Sequence, residues 1–121
     1  MILVDTSIWV RHLRSGNANL VSLLNAAHVL VHPMVVGELA CGSLKNRSEI
    51  IDLLQSLPAS HYASDSEVMH LIESRSLMSR GIGYIDMHLL ASVILGGSLL
   101  WSADNKLTDA ALDLGVAYPT P

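Results

Sequence analysis

Three unbroken apolar runs, Ile2-Leu3-Val4, Val29-Leu30-Val31 and Leu99-Leu100-Trp101, limit what this chain can fold into more than any other feature. Each is too short for a helix, and none alternates with polar residues as a half-buried strand does. Each therefore reads as a strand covered on both faces. The segments between them carry apolar residues at helical spacing. Leu20, Val21, Leu23, Leu24 and Ala27 form one such set, and Ile50, Ile51, Leu53, Leu54 and Leu57 another. The pattern predicts helices over residues 7–13, 18–27, 34–41, 46–57, 65–80 and 84–95, with a short helix inside 104–114. Pro33, Gly42, Pro58, Gly81-Ile82-Gly83 and Gly96-Gly97 punctuate them. Minor strands are expected at SHYA (60–63) and VAY (116–118). Helices alternating with fully buried strands specify an α/β fold built on a parallel sheet. No repeat, linker or low-complexity tract divides the chain, so residues 1–121 read as a single domain.

Hydrophobic residues make up 50% of the chain and the mean hydropathy is +0.42, high for a soluble protein of this length. Part of that apolar surface is expected to lie against another protein. A membrane span is excluded by pattern. The longest apolar stretch, MHLLASVILGGSLLW, falls short of the ~20 residues a span needs, and His88, Ser92 and Gly96-Gly97 interrupt it. An acid at position 5 and the missing basic n-region argue against a signal peptide, so a cytoplasmic location is expected. The single cysteine, Cys41, cannot form an internal disulfide, and its apolar neighbours in VVGELACG predict a buried core position. Seven Lys+Arg against 11 Asp+Glu give a net charge of −4. A nonspecific nucleic-acid coat needs a basic stripe and is excluded. An enzyme that gathers acids around a metal is not.

Four acids stand in settings where such a role is open. Asp5 ends the first strand and Asp104 follows the strand SLLWSA, so both belong to the carboxyl edge of the sheet, where ligands bind in open α/β folds. Glu38 lies on an apolar helix, MVVGELACG, where an unpaired carboxylate is costly. Asp86 begins the helix after Gly81-Ile82-Gly83. Simpler roles are also available: Asp5 as a helix N-cap, Asp86 as a first-turn acid favoured by the helix dipole, Asp104 as the start of a turn with Asn105. If the four converge, their charges must take up protons or hold a cation, and oxygen donors suit a hard ion, Mg²⁺ or Mn²⁺. No His or Cys spacing offers a softer site, and His28 and His32 read as ordinary edge or loop residues.

The stretches MILVDTSIWVRHLR, MVVGELACG, GIGYIDMHLLAS and LLWSADNKL, in that order and at that spacing, resemble those of PIN-domain nucleases, in particular the VapC toxins of toxin–antitoxin pairs. The likeness runs over essentially the full length. It implies a PIN-like three-layer sandwich, with a central twisted parallel sheet flanked by helices. It also implies a metal-dependent endoribonuclease whose acids are Asp5, Glu38, Asp86 and Asp104. Asp5, Asp86 and Asp104 would hold Mg²⁺ (or Mn²⁺), and Glu38 would orient the attacking water or act as its base. Ser102 takes the place of a Thr common in the family and keeps the hydroxyl. A VapB-like antitoxin and a homodimer are implied as partners.

Such a nuclease needs groups that hold RNA beside a negative pocket. Ser7, Arg11, Arg14 and Lys106 are the candidates. Phe is absent and aromatic residues are only 4%, so base-stacking platforms are scarce and selectivity is expected from RNA shape, as in a tRNA or a ribosomal loop. Three other functions compete. A phospho-acceptor receiver domain needs paired acids after its first strand and a late Lys, and neither is present. A catalytically silent PIN-like module and a PIN nuclease of RNA processing remain as alternatives.

Overall fold

The computed structural model describes residues 1–120. β1 (Ile2–Val4) is central in a three-stranded parallel sheet of order β2-β1-β3, with β2 at Val29–Leu30 and β3 at Leu99–Trp101. Ile2 is in register with Val29 on one side and Leu99 on the other. Successive residues of β1 point to opposite faces, and all three are buried, so both faces of the sheet are covered. That is the three-layer arrangement the apolar runs require.

Each edge gains one further parallel bridge, Val31 with Ala59 and Leu100 with Ala117. The second lies in the expected VAY segment. The first falls one residue before SHYA, because Ser60 N–H donates to Val31 O and so fixes the pairing on Ala59.

The helices are α1 (Thr6–Ser15), α2 (Ala18–Asn25), α3 (Pro33–Ala40), α4 (Arg47–Gln55), α5 (Asp65–Ser74), α6 (Tyr84–Gly96) and α7 (Asn105–Asp113). α5 starts with a capping box between Ser64 and Glu67. It stops well short of Arg80, the end expected from periodicity. Ser76 and Ser79 take positive φ, 52° and 64°, and that turns the chain without a glycine or proline to announce it. α6 is the central helix, with residues 87–93 all buried, which explains why it is apolar on every side. Gly97, at φ 67°, ends it in the left-handed conformation.

Two expectations about burial also fail. Cys41 is exposed, not buried. α3 packs through the stripe Val35 and Leu39, and Cys41 caps the helix off that stripe. His32 is fully buried rather than an edge residue. It caps α3, with Nδ1 accepting from Met34 N–H at 3.1 Å, and its Nε2 lies 3.2 Å from Ser92 Oγ on α6. The tautomer follows: Nδ1 is the acceptor, so Nε2 carries the proton. Among the described residues no helix is long and apolar enough to cross a membrane. Val10, Val21, Leu53, Met69, Leu95 and Leu112 remain exposed, an apolar surplus that the fold itself does not bury.

Candidate functional site

The site begins where β1 becomes α1. Asp5 N–H still donates to Trp101 O in the manner of the sheet, at 3.0 Å, while the side chain already caps the helix. Oδ1 accepts from the backbone N–H of Ser7 (2.9 Å) and Ile8 (3.4 Å), and from the Ser7 hydroxyl. Oδ2 accepts from Ser102 Oγ at 2.7 Å. Asp5 is therefore an N-cap and also a buried, fully oriented carboxylate, 5% exposed. Capping alone needs one side-chain oxygen. The second oxygen and its serine are not explained by the helix.

The two serines tie the strand ends together. Ser102 Oγ accepts from Asp104 N–H, and Ser7 Oγ accepts from Ala103 N–H, both at 2.9 Å. Ser7, expected to face RNA, thus has its hydroxyl engaged inside the protein between Asp5 and Ala103. Asp104 caps α7 through Leu107 N–H at 3.0 Å rather than opening a turn with Asn105. Asp5 and Asp104 are held at one edge by a short chain of hydroxyls, because β1 and β3 are neighbours in register.

Glu38 reaches this edge from α3. Its Oε1 accepts a hydrogen bond from Thr6 Oγ1 at 2.7 Å. Asp86 arrives on the third residue of α6, half-buried. Its carboxyl is pushed up to about 6, first by burial and then by the negative charges of Asp5, Glu38 and Asp104. Helix N-termini favour carboxylates, so burial and three like charges outweigh the dipole here. Asp86 therefore lies in the field of the other three acids named from sequence.

Among the described residues none of the four has a cationic partner. Among the described residues the ion pairs are Arg80–Asp113 at 2.9 Å and the His88–Asp65 contact at 3.0 Å. Nor do any three His, Cys, Asp or Glu side chains there form a ready-made ligand set. The acids share a field without yet closing on a point. Only oxygen donors are present, one of them already disfavoured as an anion, and this chemistry fits a hard divalent ion that would draw them together.

A groove of about 620 Å³ opens beside Glu38 and Thr6, between α1, α3 and the loop before α4. Val10 and Leu44 are among its apolar residues, and Arg14 and Lys45 contribute positive charge. Arg14 thus lies where substrate could pass. Arg11 is exposed elsewhere on α1, outside the groove lining. Lys106 folds across the turn before α6, so close that a Cβ on Gly81 would sit 2.8 Å from its Nζ. Thr6 and Lys45 were not singled out by sequence reasoning. Thr6 is adjacent to Asp5, but nothing local indicates that it faces a residue 32 positions away.

Asp65, at the start of α5, braces the other side of α6. Its Oδ1 accepts from Tyr84 OH at 3.1 Å and lies 3.0 Å from His88 Nε2. These two residues flank Asp86, so the turn carrying the acid is anchored at both ends.

The PIN domain family model matches residues 2–112. The chain is 46% identical over 118 residues to the protein named Ribonuclease VapC32 from two Mycobacterium tuberculosis strains, CDC 1551 / Oshkosh and H37Rv. Each alignment covers 97% of this chain and 95% of the relative. A parallel sheet with acids gathered at one carboxyl edge, a family match across nearly the whole length and relatives aligned end to end agree: this chain belongs to the PIN-domain family.

Proposed function

We propose that the chain is a metal-dependent endoribonuclease, the toxin of a VapBC-type pair. The observation that carries this reading is the group of four acids with no cationic partner among the described residues, one of which is pushed toward its neutral form by burial and by the other three. Asp5, Asp86 and Asp104 would hold the ion, Mg²⁺ or Mn²⁺. A divalent ion held there supplies charge neutralisation at a phosphate and makes water a stronger acid. The rest falls to the protein. Ser7 and Ser102 fix Asp5, so the charge at the strand edge is preorganised. Glu38 accepts a proton from the attacking water as it adds to phosphorus, the bond from phosphorus to the 3′-oxygen of the preceding nucleotide breaks, and that oxygen takes up a proton from solvent water as it leaves. The products carry 5′-phosphate and 3′-hydroxyl ends.

RNA passes along the groove beside Glu38, with its backbone held by Arg14 and Lys45 and, further out, by Arg11 and Lys106. The groove accepts a single strand or a loop such as that of a tRNA. The exposed apolar residues supply surface for a second copy of the chain and for a VapB-like antitoxin in the cytoplasm. The test is sequencing of RNA ends after expression of the wild type and of Asp5→Asn. Discrete new ends bearing 5′-phosphate should appear with the wild type alone, and EDTA should abolish them in vitro. Identical ends in both strains would refute the site. Growth arrest relieved by an adjacent small gene identifies the toxin role; cleavage without arrest would favour RNA processing.

A further inference from the structure

Asp5 and Glu38 are presented very differently. Asp5 is buried and accepts hydrogen bonds at both oxygens. Glu38 is exposed, on a side chain with three rotatable bonds, and among the described residues its one side-chain hydrogen bond is from Thr6. Left free, such a carboxylate samples many rotamers, most of them pointing away from the other acids.

Thr6 is well placed to prevent this. It is the first residue of α1, directly after Asp5, so the turn that orients Asp5 also sets the Thr6 hydroxyl. Its Cβ is branched, which limits χ1 and makes the hydroxyl a stiff donor. A hydroxyl bound to a carboxylate is a charge-assisted contact, and it occupies Oε1 while leaving Oε2 for a proton. The Thr6 position also lines the groove through which RNA is proposed to pass.

We infer that Thr6 is a positioning residue: its hydroxyl selects the Glu38 rotamer that faces the reacting phosphate and ties the spacing of Glu38 to that of Asp5. The inference rests on the nuclease reading above, in which Glu38 receives the proton of the attacking water.

The experiment is a double-mutant cycle on a defined RNA at saturating Mg²⁺, using Thr6→Val, Thr6→Ser, Glu38→Ala and Thr6→Val/Glu38→Ala. Thermal melts of each protein accompany the kinetics. Thr6→Val keeps the branched shape and removes the donor. It should lower kcat about tenfold or more, with KM and melting temperature little changed. Thr6→Ser restores the donor and should recover kcat to within about threefold of wild type. With Glu38→Ala present, Thr6→Val should have no further effect, because the group it positions is gone. The inference is overturned if Thr6→Val stays within about twofold of wild type, if Thr6→Ser does not rescue, or if the two losses simply multiply. A multiplicative result with an impaired Glu38→Ala protein overturns the role of Thr6 alone. A Glu38→Ala protein as active as wild type overturns the role assigned to Glu38 and, with it, the positioning role.

Discussion

Replacing Asp86 with Asn should make the protein more stable and inactive at once. In the metal-free fold the Asp86 carboxyl is raised from 3.8 to about 6 by burial and by three neighbouring acids. At about 1.4 kcal/mol per pKa unit, that is at most roughly 3 kcal/mol for carrying the charged form, and solvent screening of this half-buried group brings it to roughly 2 kcal/mol. The sign follows from linkage. The folded pKa exceeds the unfolded one, so the penalty is absent below pH 3.8, grows as pH rises to about 6 and is complete above it. Asn removes the charge but also loses a favourable first-turn interaction with the helix dipole, roughly 0.3–1 kcal/mol. The net gain should be about 1–2 kcal/mol at pH 7.5 in EDTA, read by urea denaturation, or roughly 3–10 °C in melting temperature for a domain of this size. The gap between variant and wild type should shrink below pH 6 and vanish below about pH 4. Added Mg²⁺ should raise the melting temperature of the wild type and leave the variant nearly unmoved. A variant no more stable than wild type at pH 7.5, or a gap independent of pH, would show that Asp86 does not sit in the field of the other acids.

The remaining expectations concern the groups around that cluster. Burial, and next the charge of His88, hold the His32 imidazole down at about 4. The native state favours neutral His32, so its contribution is complete above pH 6.5 and is lost as pH falls toward 4, up to roughly 3 kcal/mol. This slope opposes that of Asp86, so it should be measured in the Asp86→Asn background; constant stability there between pH 7 and pH 4.5 would count against it. Ser102→Ala leaves Asp5 Oδ2 without its donor and should cost about 1–3 kcal/mol in urea denaturation along with most activity, whereas Ser102→Thr should keep both. An alanine protein with unchanged stability would sever the link between the two strand ends. Replacing Arg14 and Lys45 together by Ala should weaken RNA binding and lower the slope of log K against log salt by about 1–2. An unchanged slope would place the RNA outside the groove.

The short apolar runs were enough to locate all three strands and to show that the sheet is parallel and covered on both sides, because burial on both faces leaves no room for polar alternation. The same logic put Asp5 and Asp104 at one edge, since residues that end neighbouring parallel strands must emerge together. Capping at Asp5 was legible too, because a carboxylate just before a helical run is a ready N-cap, whereas Asp104 read as the start of a turn and caps α7 instead. These are local rules, and they are satisfied within a few residues.

What local rules could not supply depends on residues far apart in the chain. The end of α5 turns on Ser76 and Ser79 in positive φ, a conformation that their side chains do not advertise and that only the surrounding packing can impose. His32 looks like a strand-end polar residue until α6 places Ser92 against it, 60 positions later. Ser7 reads as an outward hydroxyl until Ala103 and Asp5 enclose it. Thr6 acquires a partner only when α3 docks on α1, and Asp86 becomes hard to ionise only when packing of α6 buries it and brings it into the field of three other acids. Side-chain type states which interactions a residue can make; the dielectric around it and the partner opposite are properties of the packed chain, and these decide the chemistry of this site.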